Sequence, residues 1–185
     1  MKTLKEQFGL SFGELKKLRT ITTCAMLAAV SAVLGYFTIQ LGDFIKIGFS
    51  TIPNQLVHYL FGPVTGSLYG GMLDIVKYLI KPTGPYFPGF TISAAIGGII
   101  YGVSYYKKPM TLKRILVTEL IAAVICNMFL GTLWLNMLYG KAFFTILPMR
   151  VLKNLVMWPI NSVIFFSCVQ GLERAGVFRI MGQRA

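Results

Sequence analysis

The sequence predicts an all-α integral membrane protein with six transmembrane helices and both termini in the cytoplasm. Of its 185 residues, 55% are hydrophobic and 13% are charged, whereas a soluble domain carries about 25% charged residues. The stretches 20–41 and 155–172 contain no charged residue and approach the roughly 20 residues that cross a bilayer. Basic residues cluster before the first stretch, in one middle loop and after the last stretch, as the positive-inside rule expects for cytoplasmic segments.

Gly, Pro and charged residues mark the boundaries of the predicted helices. The whole chain, 1–185, is predicted to form a single membrane domain. A basic, weakly amphipathic segment (1–18) is expected at the cytoplasmic surface, and a cytoplasmic tail follows the last helix (173–185). The helices are predicted at 20–41, from Thr51 for about a dozen residues, and at 63–80, 91–105, 115–139 and 145–172. The second helix is too short to cross about 30 Å of hydrocarbon alone, and Pro63 suits the restart that follows it. Residues 42–50 are predicted to be a turn followed by a short extended loop.

The charge of +12 does not indicate nucleic acid, because the cations lie at alternate span boundaries. The lipid bilayer is the expected environment, and the bacterial cell membrane the expected location. No HExxH, GxSxG, GxxxxGK[ST] or Cys/His ligand pattern occurs, so the sequence predicts neither an enzyme nor a metal site nor ATP hydrolysis by this chain. The single histidine, His58, is interpreted as packed or interfacial.

Small residues recur at four-residue spacing in three helices, a pattern that lets membrane helices approach closely. Two such series are expected to pack internally: Gly62, Gly66 and Gly70, and Ala94, Gly98 and Gly102. Asp74 and Lys77, spaced three apart, are interpreted as a structural ion pair. The first helix carries two overlapping frames, Ala25/Ala29 and Ala28/Ala32. Internal packing and docking of another membrane protein both remain open for this helix.

The candidate site combines the loop 81–90 with the start of the last helix. Three prolines and two glycines order this loop, and Tyr86, Phe87 and Phe90 offer faces for a planar ring. Alone, the loop favours a rigid hairpin whose aromatics lie in the interfacial belt. On the last helix, Arg150, Lys153 and Asn154 share neighbouring turns on the same side of the membrane. The two cations could simply snorkel to the interface, but surplus outward cations beside aromatics suit an anionic aromatic ligand.

These motifs resemble the substrate-binding S components of energy-coupling-factor (ECF) vitamin transporters, most closely the folate-specific ones. The resemblance covers about 27–172. It rests on IGFSTIP at 47–53, GPVTGSLYGGMLD at 62–74, PTGPYFPGFTISAAIGGIIYG at 82–102 and RVLKNLVMWPIN at 150–161.

The resemblance implies a six-helix ECF S-component-like bundle that captures folate outside the cell with high affinity. It implies as partners a transmembrane coupling subunit and two ATPase subunits, so ATP is used by the partners and this chain needs no cofactor. Docking of the coupling subunit maps to Ala25, Ala28, Ala29 and Ala32. The candidates for substrate binding are Phe49, Lys81, Tyr86, Phe87, Phe90, Thr91, Arg150, Lys153 and Asn154.

Three alternatives stay open from the sequence. An S component for another vitamin, riboflavin or pantothenate, is the nearest, although the surplus of cations disfavours a neutral ring system. A stand-alone secondary transporter would show internal repeats around a midplane site, and none is evident. A membrane enzyme would require a catalytic set that the sequence does not contain.

Overall fold

The computed structural model of the chain describes residues 4–36, 38–41, 45–48, 50–80, 85–140 and 143–176. Only the backbone is described for residue 36, for the two strands, and for residues 139, 143–147, 149 and 150. The elements, in order, are α1 (Leu4–Leu15), α2 (Leu18–Tyr36), β1 (Thr38–Leu41), β2 (Ile45–Gly48), α3 (Thr51–Ile80), α4 (Pro88–Tyr105), α5 (Leu112–Ala122), a π-helical segment (Ala123–Leu130), α6 (Gly131–Tyr139) and α7 (Phe143–Arg174).

Three helices are long and apolar enough to cross a membrane, judged within the described ranges. They cover Leu18–Gly35, Leu112–Leu138 and Val151–Arg174. The second combines α5, the π segment and α6, which follow one another in right-handed helical conformation. This long helix ends at Gly140, whose φ of 62° is the left-handed geometry that commonly closes a helix.

The predicted break in α3 is confirmed, and it is a reversal of direction. Gly62 has φ 83° and ψ −168°, a conformation that glycine adopts without a Cβ penalty. The hydroxyl of Tyr69 donates to Oδ1 of Asn54 over 3.4 Å, although 15 residues of continuous helix would separate them by about 22 Å. The two halves of α3 therefore lie antiparallel, which gives six helical segments besides α1 within the described residues.

The small residues of α3 and α4 pack against each other, as the sequence predicts. A Cβ at Gly98 would overlap the carbonyl of Gly66, a Cβ at Gly102 would overlap Pro63, and a Cβ at Gly70 would lie 2.7 Å from the carbonyl oxygen of Ala94. These are backbone contacts, which side chains would prevent. The second half of α3 and α4 consequently form a tightly apposed pair.

The hydrophobic core lies at the end of the bundle where α3 reverses. Leu60, Tyr105, Ile115, Phe165 and Val169 bring four helices together there. The rings of Tyr105 and Phe165 stack with centroids 5.7 Å apart. This packing closes one end of the bundle.

Helix α1 caps the reversal of α3. The buried hydroxyl of Ser11 donates to the Phe61 carbonyl over 2.7 Å and accepts from the amides of Val64 and Thr65 over 3.0 and 3.2 Å. The Thr65 hydroxyl returns a bond to the Ser11 carbonyl over 3.0 Å. The backbone groups that the break at Gly62 frees are thus satisfied by α1.

Several helix boundaries differ from the prediction, among them the starts of α5 at Leu112 and of α7 at Phe143. The first predicted helix, 20–41, ends at Tyr36, because Thr38–Leu41 pairs as an antiparallel strand with Ile45–Gly48. The segment TIQL continues the uncharged stretch, so composition alone cannot separate strand from helix here. The predicted helix 91–105 begins three residues earlier, since Pro88 occupies the first turn of α4.

Candidate functional site

A cavity of about 410 Å³ opens between α3, α4 and the helix that runs from α5 through the π segment to α6. Its volume lies within the roughly 300–1,000 Å³ of small-molecule sites. The lining residues are Thr51, Asn54, Gln55, His58, Gly70, Leu73, Asp74, Lys77, Phe90, Ser93, Ala94, Gly97, Gly98, Tyr101, Ala122, Cys126, Asn127 and Gly131.

Small residues on three helices create this space. Gly97 and Gly98 belong to α4, Ala122 ends α5, and Gly131 begins α6. A Cβ at Gly97 would meet only the Cys126 sulfur, at 3.8 Å. The walls are therefore lined by backbone and methyl groups, and a flat ligand can lie against them.

The first half of α3 supplies a polar and aromatic wall. Thr51, Asn54, Gln55 and His58 follow helical spacing on one face. The imidazole of His58, only 5% exposed, stacks on the Tyr101 ring with centroids 5.8 Å apart and planes 3° from parallel. The prediction that His58 is packed holds, but the residue also lines the cavity.

A buried carboxylate stands behind this wall. Glu119 on α5 accepts a hydrogen bond from the Tyr101 hydroxyl over 3.0 Å and another from the amide of Gln55. Each bond uses a different carboxylate oxygen, so Glu119 fixes the orientation of two side chains that line the cavity. It also joins α3, α4 and α5 through one group.

At the other end of the cavity, Asp74 and Lys77 lie near the Pro-rich loop. The predicted ion pair is not in direct contact: among the described side chains, Asp74 accepts a hydrogen bond from the Thr91 hydroxyl over 2.8 Å, and its carboxylate acts on Lys77 electrostatically without a salt bridge. Thr91 also shares a hydrogen bond of 3.0 Å with the hydroxyl of Tyr86. This chain of bonds ties the loop to α3 and α4 and leaves Lys77 to face the cavity.

Aromatic side chains gather beside the same end. The Phe87 ring packs against Phe90 and Trp134, with centroids 6.2 and 5.7 Å away. The indole of Trp134 donates to the Ser93 hydroxyl over 2.8 Å. Phe90 and Ser93 line the cavity, so this cluster forms part of its wall.

The predicted site residues are brought together only in part. Phe90 lines the cavity, and Phe87, Thr91 and Tyr86 contact residues at its edge. Asn154 on α7 accepts a hydrogen bond over 3.4 Å from Asn127, which lines the cavity, but Asn154 is not itself a lining residue. The side chain of Lys153 is exposed and is not among the lining residues. Phe49, Lys81 and the side chain of Arg150 lie outside the described residues.

Sequence reasoning missed much of the lining, notably Asn54, Gln55, Tyr101 and Asn127. One signal was available, because uncharged polar residues in an apolar helix favour an inward-facing position. For Asn54 and Gln55, the helical spacing from Thr51 would have indicated one shared face of α3.

The two small-residue pairs on α2, Ala25/Ala29 and Ala28/Ala32, differ in how far they are buried. Ala25 and Ala29 are exposed, whereas Ala28 and Ala32 are half-buried and Ala28 packs against the hydrophobic core. The exposed frame continues into Met26, which is 71% exposed. Only the Ala25/Ala29 frame is open to another protein.

Residues 19–169 match the family model described as "ECF transporter, substrate-specific component". The chain belongs to this family. Its members are the substrate-specific components of transporters and not enzymes, in agreement with the prediction. The family and the apolar helices together identify a membrane protein.

Relatives and a solved structure are similar over most of the chain. The folate transporter FolT of Clostridium novyi (strain NT) is 33% identical over 160 residues, 86% of this chain and 93% of the relative. FolT of Leuconostoc mesenteroides subsp. mesenteroides is 32% identical, over 77% of this chain and 80% of the relative. A crystal structure of FolT bound with folic acid aligns with a TM-score of 0.73 and 34% identity, covering 81% of this chain and 92% of that one.

Proposed function

We propose that this chain is the high-affinity folate-binding S component of an ATP-driven ECF importer in the bacterial cell membrane. The observation that carries the proposal is the likeness to a FolT bound with folic acid, together with a cavity of suitable volume and lining in this chain. Folate joins a flat pteridine and a benzoyl ring to a glutamate with two carboxylates. The ligand thus needs flat walls, polar edges and cations.

The pteridine is assigned to the deep part of the cavity. The stacked pair of His58 and Tyr101 and the ring of Phe90 provide aromatic surface. Gln55 and Ser93 provide polar atoms for the donors and acceptors on the ring edge. Gln55 is held by Glu119, so its amide is preorganised before the ligand arrives.

The glutamate is assigned to the end of the cavity near the Pro-rich loop. Lys77 lines the cavity there. Lys81 follows α3, and Arg150 and Lys153 lie on the first turns of α7. These four cations can meet two carboxylates with point charges and a bidentate guanidinium. Phe49, Tyr86 and Phe87 belong to the loops that would close over the ligand.

Both termini are assigned to the cytoplasm, which makes the end where α3 reverses the inner end. Three basic groups belong to this end: Lys5, Lys16, Lys17 and Arg19 around α1; Lys107, Lys108, Lys113 and Arg114 beside the start of α5; and Arg174 at the end of α7. Their concentration at one end supports this orientation. The Pro-rich loop then faces outward, where folate is captured.

The coupling subunit is assigned to the exposed Ala25/Ala29 frame of α2. Small residues at four-residue spacing let a second helix approach closely, and this frame is exposed in the bundle. The partner module carries the two ATPases and consumes ATP, so this chain itself binds no cofactor.

The proposal is tested by folate uptake in proteoliposomes that contain the chain alone or the chain with a coupling subunit and two ATPases. Sustained uptake that requires all partners and ATP supports it. ATP-independent uptake by the chain alone would indicate a secondary transporter instead. Parallel titrations with folate, riboflavin and pantothenate identify the vitamin, and tight binding of riboflavin without folate binding would contradict the folate assignment.

The role of Arg150 is tested in the same titrations. Arg150→Ala should weaken folate binding by about 2 kcal/mol or more, as for truncation of one partner of a buried charge pair, while a folate analogue without the glutamate should bind both proteins equally. An unchanged affinity for folate would place the carboxylates at Lys77, Lys81 or Lys153.

A further inference from the structure

Helix α1 has two chemically different sides. Gln7 and Ser11 are buried against α3, and this side carries the contacts that cap the break at Gly62. Leu4, Phe8 and Phe12 follow one another at four-residue spacing and are 60%, 37% and 57% exposed. This spacing places the three apolar side chains along one flank of the helix.

Cations accompany this apolar flank. Lys5 follows Leu4, and Lys16 lies one turn beyond Phe12 with its Nζ 5.8 Å from the centre of the Phe12 ring. The acidic Glu14 is engaged elsewhere, with Lys17 at 2.7 Å and with the Thr20 hydroxyl. The flank therefore joins apolar rings to positive charge without a facing carboxylate from Glu14.

The position of α1 relative to the membrane follows from α2. The apolar window of α2 begins at Leu18, three residues after α1 ends at Leu15. Three extended residues span at most about 11 Å, which is comparable with the headgroup layer of a bilayer. The C-terminal end of α1 must consequently lie in or beside this layer.

We propose that α1 is an interfacial helix that binds an anionic lipid surface through the α1 flank, defined as Leu4, Phe8, Phe12, Lys5 and Lys16. The apolar side chains enter the boundary between headgroups and acyl chains, and the two lysines meet lipid phosphates. An amphipathic helix in the plane of the interface binds by this combination of apolar burial and charge attraction. The partner is a lipid surface because the flank lies at the level of the headgroups and carries the opposite charge.

The same helix then connects the lipid surface to the ligand cavity. Ser11 holds the reversal of α3 from the buried side of α1, and the residues on either side of that reversal include Gln55, His58 and Gly70 of the cavity wall. Anchoring α1 at the interface thus fixes the inner end of the helix pair that forms the site.

The test is the accessibility of nitroxide labels on the purified chain in vesicles of phosphatidylcholine with or without phosphatidylglycerol. In a background with Cys24, Cys126 and Cys168 replaced by Ser, cysteines are introduced by Phe8→Cys and Phe12→Cys. Matched controls are Gly9→Cys and Gly13→Cys on the same helix, where an added Cβ meets nothing within 4 Å. Collisions with oxygen report the acyl region, and collisions with a nickel chelate report water.

The expected result is an oxygen-to-nickel ratio several-fold higher at positions 8 and 12 than at 9 and 13, and higher still with phosphatidylglycerol. The variant Lys5→Gln/Lys16→Gln should remove the effect of phosphatidylglycerol. Equal ratios at all four positions would overturn the proposal, and so would low collision rates with both reagents at 8 and 12, which would indicate burial in protein. A ratio that phosphatidylglycerol does not change would overturn the anionic part. Far-UV circular dichroism of each labelled protein verifies that it is folded.

Discussion

The contact between α3 and α4 leads to the sharpest prediction about stability. In Gly98→Ala, the new Cβ would overlap the carbonyl oxygen of Gly66 and lie 2.6 and 2.7 Å from the Gly66 carbonyl carbon and the Ser67 nitrogen. All three are backbone atoms, so no change of rotamer relieves the overlap and the helices must separate. The adjacent Gly97 is a matched control, since its Cβ would meet only the Cys126 sulfur at the ordinary distance of 3.8 Å.

The magnitude follows from two opposing terms. Overpacking costs about 1–3 kcal/mol, and a contact between two backbones should lie at the upper end, about 3 kcal/mol. Alanine gains about 1 kcal/mol over glycine in helix propensity, so the net loss for Gly98→Ala is about 2 kcal/mol, roughly 30-fold in the folding equilibrium. Gly97→Ala gains the propensity term without the overlap, and the two variants should differ by about 3 kcal/mol.

The assay is reversible unfolding in mixed micelles by a denaturing detergent, followed by tryptophan fluorescence. Folate binding measured on the folded fraction should weaken for Gly98→Ala, because separation of α3 from α4 displaces the cavity walls. Equal unfolding free energies for the two variants would refute the close backbone packing on which this description of the bundle depends.

Three further predictions concern other parts of the molecule. Ser11→Ala leaves buried backbone groups of α3 without hydrogen-bond partners and should lower the unfolding free energy by about 2 kcal/mol. A melting temperature like that of the wild type would contradict the capping role of α1. Phe90→Ala should weaken folate binding by about 1.5–3 kcal/mol through lost ring contact, whereas Tyr86→Phe keeps its ring and should change the affinity far less, as checked by calorimetry. Ala29→Leu should abolish partner-dependent uptake with folate binding intact, and Ala28→Leu should instead destabilise the core; the reverse pattern would assign docking to the other frame.

Much of the fold could be predicted because membrane helices leave strong signals. The break at Gly62 follows from a Gly-Pro pair, and the glycine series of α3 and α4 do pack internally. The end of α2 could not be predicted from composition. The segment from Thr38 to Leu41 continues the uncharged stretch of α2, and its pairing with the next strand, Ile45–Gly48, decides its conformation.

The site was harder to predict than the fold. Phe90 could be placed in the cavity lining because an aromatic residue after a Pro-rich loop is conspicuous. Gln55 and Tyr101 are held in the lining by contacts with Glu119, which is distant in sequence. The partner of Asp74 was also decided by a contact with another helix. The nearby Lys77 suggested a local ion pair, but the side chain that hydrogen-bonds to Asp74 is Thr91 on α4.

In the proposed function, folate occupies the cavity between α3, α4 and the π segment. The most direct measurement is isothermal titration of folate into the purified chain and into Gly97→Leu, whose side chain extends into the cavity past Cys126. We expect tight one-to-one binding to the wild type and at least a 100-fold loss for Gly97→Leu, with thermal stability retained. Wild-type affinity in a folded Gly97→Leu protein would place the ligand elsewhere, and no binding to the wild type would contradict the folate assignment itself.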